Sequence, residues 1–215
     1  LSIGILCIVY TVMGGLEAVV WTDAIQAIVL LGGALLCILV IIFQMDGGLG
    51  AIINVAQTDS KILTVDWGTL DFGSSTNSAW VILAGFMFAS LPSYTAGQDV
   101  VQRYVSTPTE KEAARSLWLN MPMAILGSLL FFSLGVALYA FYQTQPSLLD
   151  PAMERNDGIL PFFILQNLPV GVSGLIVAGI FAAAQSTISS SLNSVATAYV
   201  TDFHGRVLKP ESSDK

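Results

Sequence analysis

Apolar residues run through this chain in long uninterrupted stretches rather than in short alternating or periodic ones. Such stretches, at about 20 residues, are long enough to cross a bilayer as helices. Five apolar segments are expected: 1–13, 22–43, 79–101, 119–142 and 172–200. The first is too short for a whole span and is expected to be a truncated one. Two longer connections, 45–78 and 144–169, carry Gly, Pro, Asp and Asn, and Leu160–Leu168 within the second is expected to form a short helix. The fold class that follows is an all-α integral membrane protein.

Polar residues interrupt this pattern in two places. Residues 183–202 carry a run of hydroxyls inside an apolar helix, with Ser186, Ser190 and Ser194 spaced four apart and Ser189, Asn193 and Thr197 beside them. Residues at that spacing share a helix face. A face of this kind is poorly matched to lipid, so it looks at protein, water or an ion. Hydroxyl oxygens are hard neutral donors, which suits a small hard cation such as sodium. The second interruption is Ser90-Leu91-Pro92-Ser93 within the third span, followed by Thr95-Ala96-Gly97. Proline removes a backbone donor and crowds the preceding turn. The break is expected near Pro92, either as a simple kink or as the lining of a substrate cavity.

Charge orients the spans. Arg103, Lys111 and Arg115 lie between the third and fourth, and Arg206, Lys209 and Lys215 follow the fifth. Two spans separate these groups, so both lie on one side, which the positive-inside rule assigns to the cytoplasm. Only Lys61 and Arg155 lie opposite. Residues 14–21 are then expected to form a cytoplasmic turn. Asp23 follows it at the start of the second span, either as an ordinary helix N-terminal acid or as a carboxylate that neutralises a cation. Arg103 and Asp99, at the end of the third span, are expected to anchor or gate without touching substrate. Thr107 and Pro108 are expected to cap a helix entering the fourth span.

Composition agrees: the 215 residues are 54% hydrophobic and 11% charged, with a mean hydropathy of +0.72. Eight Lys and Arg against 15 Asp and Glu make no basic surface for nucleic acid. Cys7 and Cys37 are too few for a disulfide framework or a metal site and are expected to be small buried hydrophobes. Gly32-Gly33 is expected to let helices pack closely. No nucleophile–His–acid set, zinc spacing or phosphate loop is present, so there are no catalytic candidates and the chain is not read as an enzyme. Leu1 lies inside an apolar run with no basic leader, and residues 210–215 look like the start of a loop. A fragment of a longer protein is the expectation.

Three segments together resemble the sodium/solute symporter family of sodium-coupled glucose, iodide, proline, sialic acid and monocarboxylate carriers. They are Tyr10-Thr-Val-Met-Gly-Gly-Leu-Glu-Ala-Val-Val-Trp-Thr-Asp23, Gln98-Asp-Val-Val-Gln-Arg-Tyr104, and Ser186-Thr-Ile-Ser-Ser-Ser-Leu-Asn-Ser194 with Ala196-Thr197 and Asp202 beyond. The resemblance implies a LeuT-type fold of two inverted five-helix repeats, of which this chain would hold core helices four to eight. It implies a multi-pass protein of the cell membrane, the inner membrane if bacterial, whose partners are sodium, a small organic solute such as a sugar, sialic acid or carboxylate, and the lipid bilayer.

Carried over residue by residue, the resemblance implies a first sodium site at the Ala183 carbonyl and the Ser186 and Thr187 hydroxyls. It implies a second sodium position at Asp23, Ser189 and Ser190, with Ser186 as a residue the two could share. Tyr94 and Gln98 would line the substrate pocket. Many family members carry Asn or Asp just before that Gln, where this chain has Gly97, which would leave room for a bulkier solute. The activity implied is sodium-coupled symport by alternating access. The alternative is a membrane sensor module of a signalling protein built on the same fold.

Overall fold

The computed structural model describes residues 2–62, 66–68, 78–149 and 156–208. The expectations for Arg155, Lys209, Lys215 and the 210–215 loop lie outside these residues. Among the described residues the chain is helical: α1 (Ser2–Gln44), α2 (Gly48–Thr58), α3 (Ala79–Ala96), α4 (Gln98–Val105), α5 (Glu110–Thr144), α6 (Ile159–Asn167) and α7 (Val170–Ala198), which continues as a π-helical segment, Tyr199–Leu208.

Four helical stretches are long and apolar enough to cross a membrane: Glu17–Gln44, Ala79–Ala96, Glu110–Thr144 and Val170–Gly205. They correspond to the second to fifth expected spans. The first expected segment is the short N-terminal arm of α1.

The expected turn at 14–21 reduces to one residue. Gly15 takes φ 59 and ψ −156 and joins two helical arms across a kink. That backbone region is open essentially to glycine alone, so the sharp change of direction needs no polar loop. Asp23 therefore lies inside a helix already under way, not at its N-terminus. The expected break at Pro92 also moves: Pro92 sits within α3, and the interruption falls at Gly97, which is extended at φ −63 and ψ 115. Pro92 removes one ladder bond, the one to the Phe88 carbonyl, and the helix runs on past it to Ala96. The cap of α5 shifts from Thr107 to Thr109, whose hydroxyl accepts from the Glu112 N–H at 3.3 Å. Thr107 instead donates back to the Tyr104 carbonyl at 2.6 Å.

The chain divides into two compact units. One holds residues 28–86 and 119–179 and contains the main apolar core. Ala34, Cys37 and Ile41 of α1, Ile52 of α2, Leu134, Ala137 and Phe141 of α5, Phe163 and Ile164 of α6, and Ile176 of α7 meet there. Phe141 and Phe163 are fully buried and meet edge to face at 5.4 Å, a favoured geometry for aromatic pairs. Close approach of α1 and α7 depends on glycine, as expected for membrane helices. A Cβ at Gly33 would lie 3.1 Å from Ile176 Cγ1, and one at Gly179 would lie 2.9 Å from Val29 Cγ1. Gly32, expected to share this role, faces open space, because one residue along a helix turns it away from the contact. Asp59 just past α2 is tied to α5 by the Tyr139 hydroxyl, which donates to its carboxylate at 2.8 Å.

The other unit holds residues 1–27, 87–118 and 180–215. It contains the hydroxyl-rich half of α7, all of α4, and the segment of α1 that carries Asp23.

Candidate functional site

The N-terminal arm of α1 seats beside the hydroxyl segment of α7, where the buried Cys7 thiol donates to the Gln185 carbonyl at 3.6 Å. The hydroxyls of that segment fall into two groups. Some satisfy themselves along their own helix, as Ser and Thr do in membrane helices. Thr187 donates to the Ala183 carbonyl at 3.3 Å and Ser189 to the Ser186 carbonyl at 3.0 Å. Ser189 is fully buried, Ser186 and Ala183 are half-buried, and Thr187 is exposed. A hydroxyl that donates backwards keeps its lone pairs available, so each of these oxygens can still face a cation.

The second group points at α4. Gln102 bridges two α7 residues: its Nε2 donates to Thr197 Oγ1 at 3.3 Å, and its Oε1 accepts from Asn193 Nδ2 at 3.1 Å. One turn of α7 away, Arg103 Nη2 donates to Ser190 Oγ at 3.2 Å and to Asp23 Oδ2 at 2.8 Å. Three helices thus meet at one guanidinium. A narrow cleft about the size of one water lies beside it, lined by Val19, Asp99, Gln102, Arg103, Ser190, Asn193 and Ser194.

Asp23 is the one acid brought to this point from α1. Its side chain is 16% exposed, against 44% for Arg103. Only one carboxylate oxygen is used: Asp23 Oδ1 is buried with no hydrogen-bond partner, and so is Oε1 of Gln26, one turn further along α1. Among the described residues no three His, Cys, Asp or Glu side chains cluster. A cation held here would be held by hydroxyls, carbonyls and the Asp23 carboxylate, with Asp99 lining the adjoining cleft. All are hard oxygens, and the donor set fits a small hard ion.

The structure therefore joins Asp23 and Ser190 through Arg103, and places Ser186 with Ser189 and Ala183 with Thr187 by adjacent turns of α7. Tyr94 and Gln98 are exposed and flank the Gly97 break. The Gly97 position does not offer spare room. A Cβ there would lie 2.5 Å from the Ser93 carbonyl oxygen, so the space is taken by backbone. Sequence reasoning missed the Gln102–Asn193–Thr197 rung and Gln26. It expected Arg103 to anchor or gate without touching substrate, and did not foresee its pairing with Asp23 across 80 residues of chain. The signal for that pair is present in the residue types: a carboxylate and a guanidinium near apolar spans seek each other.

Broken and hydroxyl-rich helices long and apolar enough to cross a membrane define the class as an α-helical membrane-type protein. The model of the sodium:solute symporter family matches residues 1–215, and the chain belongs to that family. It is 45% identical over 212 residues to the sodium/sialic acid symporter SiaT of Proteus mirabilis (strain HI4320), covering 98% of this chain and 42% of that protein. It is 42% identical to the sodium/sialic acid symporter NanT of Aliivibrio fischeri (strain ATCC 700601 / ES114), covering 99% and 42%, and 33% identical to the human sodium/iodide cotransporter, covering 94% and 31%. A solved structure of a Na+-coupled sialic acid symporter, described as a substrate-bound outward-open state with a novel Na+ site, superposes with a TM-score of 0.85. It is 43% identical and covers 99% of this chain and 43% of its own. The fold is therefore the partial LeuT-type fold of that carrier. The chain spans about 42% of the length of the curated sialic acid symporters it matches.

Proposed function

We propose that this chain is the central part of a sodium-coupled symporter that carries sialic acid or a related acidic sugar across the cell membrane by alternating access. The observation that carries the reading is the joining of Asp23 to the hydroxyl face of α7 through Arg103 and Ser190. It gathers hard oxygens, two carboxylates (Asp23 and Asp99) and the Arg103 guanidinium beside a broken helix. The two sialic acid symporters at 45% and 42% identity support the choice of solute.

The Ala183 carbonyl, Ser186 and Thr187 form this chain's share of a first sodium site. Asp23, Ser189 and Ser190 form a second sodium position. Tyr94 and Gln98, on either side of Gly97, line the solute pocket. Sodium acts as co-substrate: it binds from outside and favours the outward-open state with an ordered pocket. Solute then binds near the midplane, and the change to the inward-open state loosens the sodium oxygens. The ion supplies the differential affinity that shifts one state to the other. The positive-inside rule places Arg103, Lys111, Arg115 and Arg206 at the cytoplasmic face, so Asp23 lies on the ion's exit side. The protein moves its cargo without changing a covalent bond.

The test is uptake of labelled sialic acid by the full-length protein in proteoliposomes, with external sodium or with choline in its place. Uptake that collapses in choline is expected. Uptake of equal rate in the two salts would sink the coupling. Sodium-driven uptake of another solute with no sialic acid transport would leave the coupling and overturn the substrate.

A further inference from the structure

The charge and oxygen inventory around Asp23 leaves two acceptors unexplained. Asp23 Oδ2 is held by Arg103 at 2.8 Å. Asp23 Oδ1 and Gln26 Oε1 are each buried with no donor. They lie three residues apart, which puts both side chains on one face of α1. An acceptor oxygen that is desolvated and unpaired is costly, and two together on one face more so. The carboxylate has no donor of its own to turn, and the amide oxygen beside it is equally without a partner. A positive ion relieves both at once.

We propose that Gln26 is a ligand of the second sodium position, its Oε1 taking the ion together with Asp23 Oδ1 while Oδ2 stays on Arg103. The inference rests on the reading of Asp23 as a sodium ligand. Arg103 is not a competitor for the ion in this arrangement, because it engages the other carboxylate oxygen. The local charge also balances. Asp99 lies one turn before Arg103 on α4 and lines the same cleft, at the spacing that suits an acid and a base on one helix. Asp23 and Asp99 then stand against Arg103 and one sodium. A neutral amide oxygen adds a hard ligand without adding charge, which suits an ion that must be released within each transport cycle.

The experiment measures sodium-dependent thermal stabilisation of the purified full-length protein, titrating sodium against choline at constant ionic strength, with no solute present. Ligand binding to the folded state adds RT ln(1 + [Na+]/Kd) to its stability, so the midpoint begins to climb as sodium passes Kd. Gln26→Leu is expected to raise the sodium Kd read from that climb about ten- to a hundredfold. Gln26→Glu, which keeps an oxygen and adds charge, is expected to lower it. The Glu variant separates this reading from its rival, in which the Gln26 amide is turned over and donates to Asp23. A donor replaced by a second carboxylate would weaken sodium binding. A Gln26→Leu curve that overlays the wild type, or a Gln26→Glu curve shifted to higher sodium, overturns the proposal. Asp23→Asn keeps the two failures apart. If it too leaves the sodium response unchanged, the second sodium position itself falls. If Asp23→Asn shifts the curve and Gln26→Leu does not, only the role of Gln26 falls.

Discussion

Replacing Gly97 by alanine tests whether the break between α3 and α4 is held by backbone crowding. Glycine at this position has an ordinary φ of −63, so the substitution meets no torsional objection. Its cost is spatial. The added methyl would lie 2.5 Å from the Ser93 carbonyl oxygen, where contacts shorter than 3.0 Å are essentially never seen, and 3.1 Å from Asp99 Oδ1. The carboxylate can turn aside, but the carbonyl belongs to the last turn of α3. The backbone must open there by about half an ångström at the least. Overpacking of this kind costs about 1–3 kcal/mol, which lowers the thermal midpoint by several degrees. Tyr94 lies inside the turn that opens and Gln98 directly follows Gly97, so the two residues proposed to line the pocket move apart. Misplacement of binding groups on this scale raises KM about tenfold, while the half-saturating sodium concentration, set by the oxygens proposed on α1 and α7, stays near the wild-type value. The assay is a detergent-solubilised melting curve together with solute and sodium titrations of uptake. A Gly97→Ala protein with unchanged midpoint and unchanged KM would refute the crowding argument. An equal loss of sodium affinity would show that the break and the ion site are one rigid element.

Ser189→Ala removes a buried hydroxyl that donates only to its own helix, so it should cost at most about 1 kcal/mol of stability. It should nonetheless weaken the sodium response in a titration of uptake if its oxygen meets the ion. Gln102→Leu strands both Asn193 and Thr197. A sodium-free midpoint lowered by a loss of about 1–3 kcal/mol is expected, read by melting, and the restoration of Thr197 pairing by Gln102→Asn should be poor because the shorter side chain cannot reach both partners. Phe163→Ala empties a fully buried ring position against Phe141 and is expected to cost about 3 kcal/mol, the low end for such truncations. Lipid competes with the helix interior as a solvent for apolar groups, and expression-normalised melting checks the value.

The long helices were legible because a bilayer demands an unbroken apolar length, and the stretches at 79–96 and 170–205 follow that demand closely. The connections were less so. Gly15 turns the chain in a single residue because it can adopt a backbone region closed to other residues, and no local polarity advertises that. Pro92 looked like the break because proline is the strongest local signal. The actual break falls at Gly97, where the Ser93 carbonyl one turn earlier leaves no space for a side chain. At the site, the hydroxyl spacing of α7 was readable from the helical period. The pairing of Asp23 with Arg103 was not, since periodicity is silent about contacts 80 residues apart. Gln26 was invisible for the same reason: a glutamine becomes informative only when its surroundings are found to hold no donor.

The most direct measurement of the central claim is the number of sodium ions carried per solute, from paired fluxes of labelled sodium and labelled sialic acid in proteoliposomes. With both positions occupied, the full-length protein is predicted to carry two sodium ions per solute, and Asp23→Asn to carry one while solute uptake remains sodium-dependent. A ratio that is the same in wild type and Asp23→Asn would contradict the assignment of Asp23 and the α7 hydroxyls to a second transported ion.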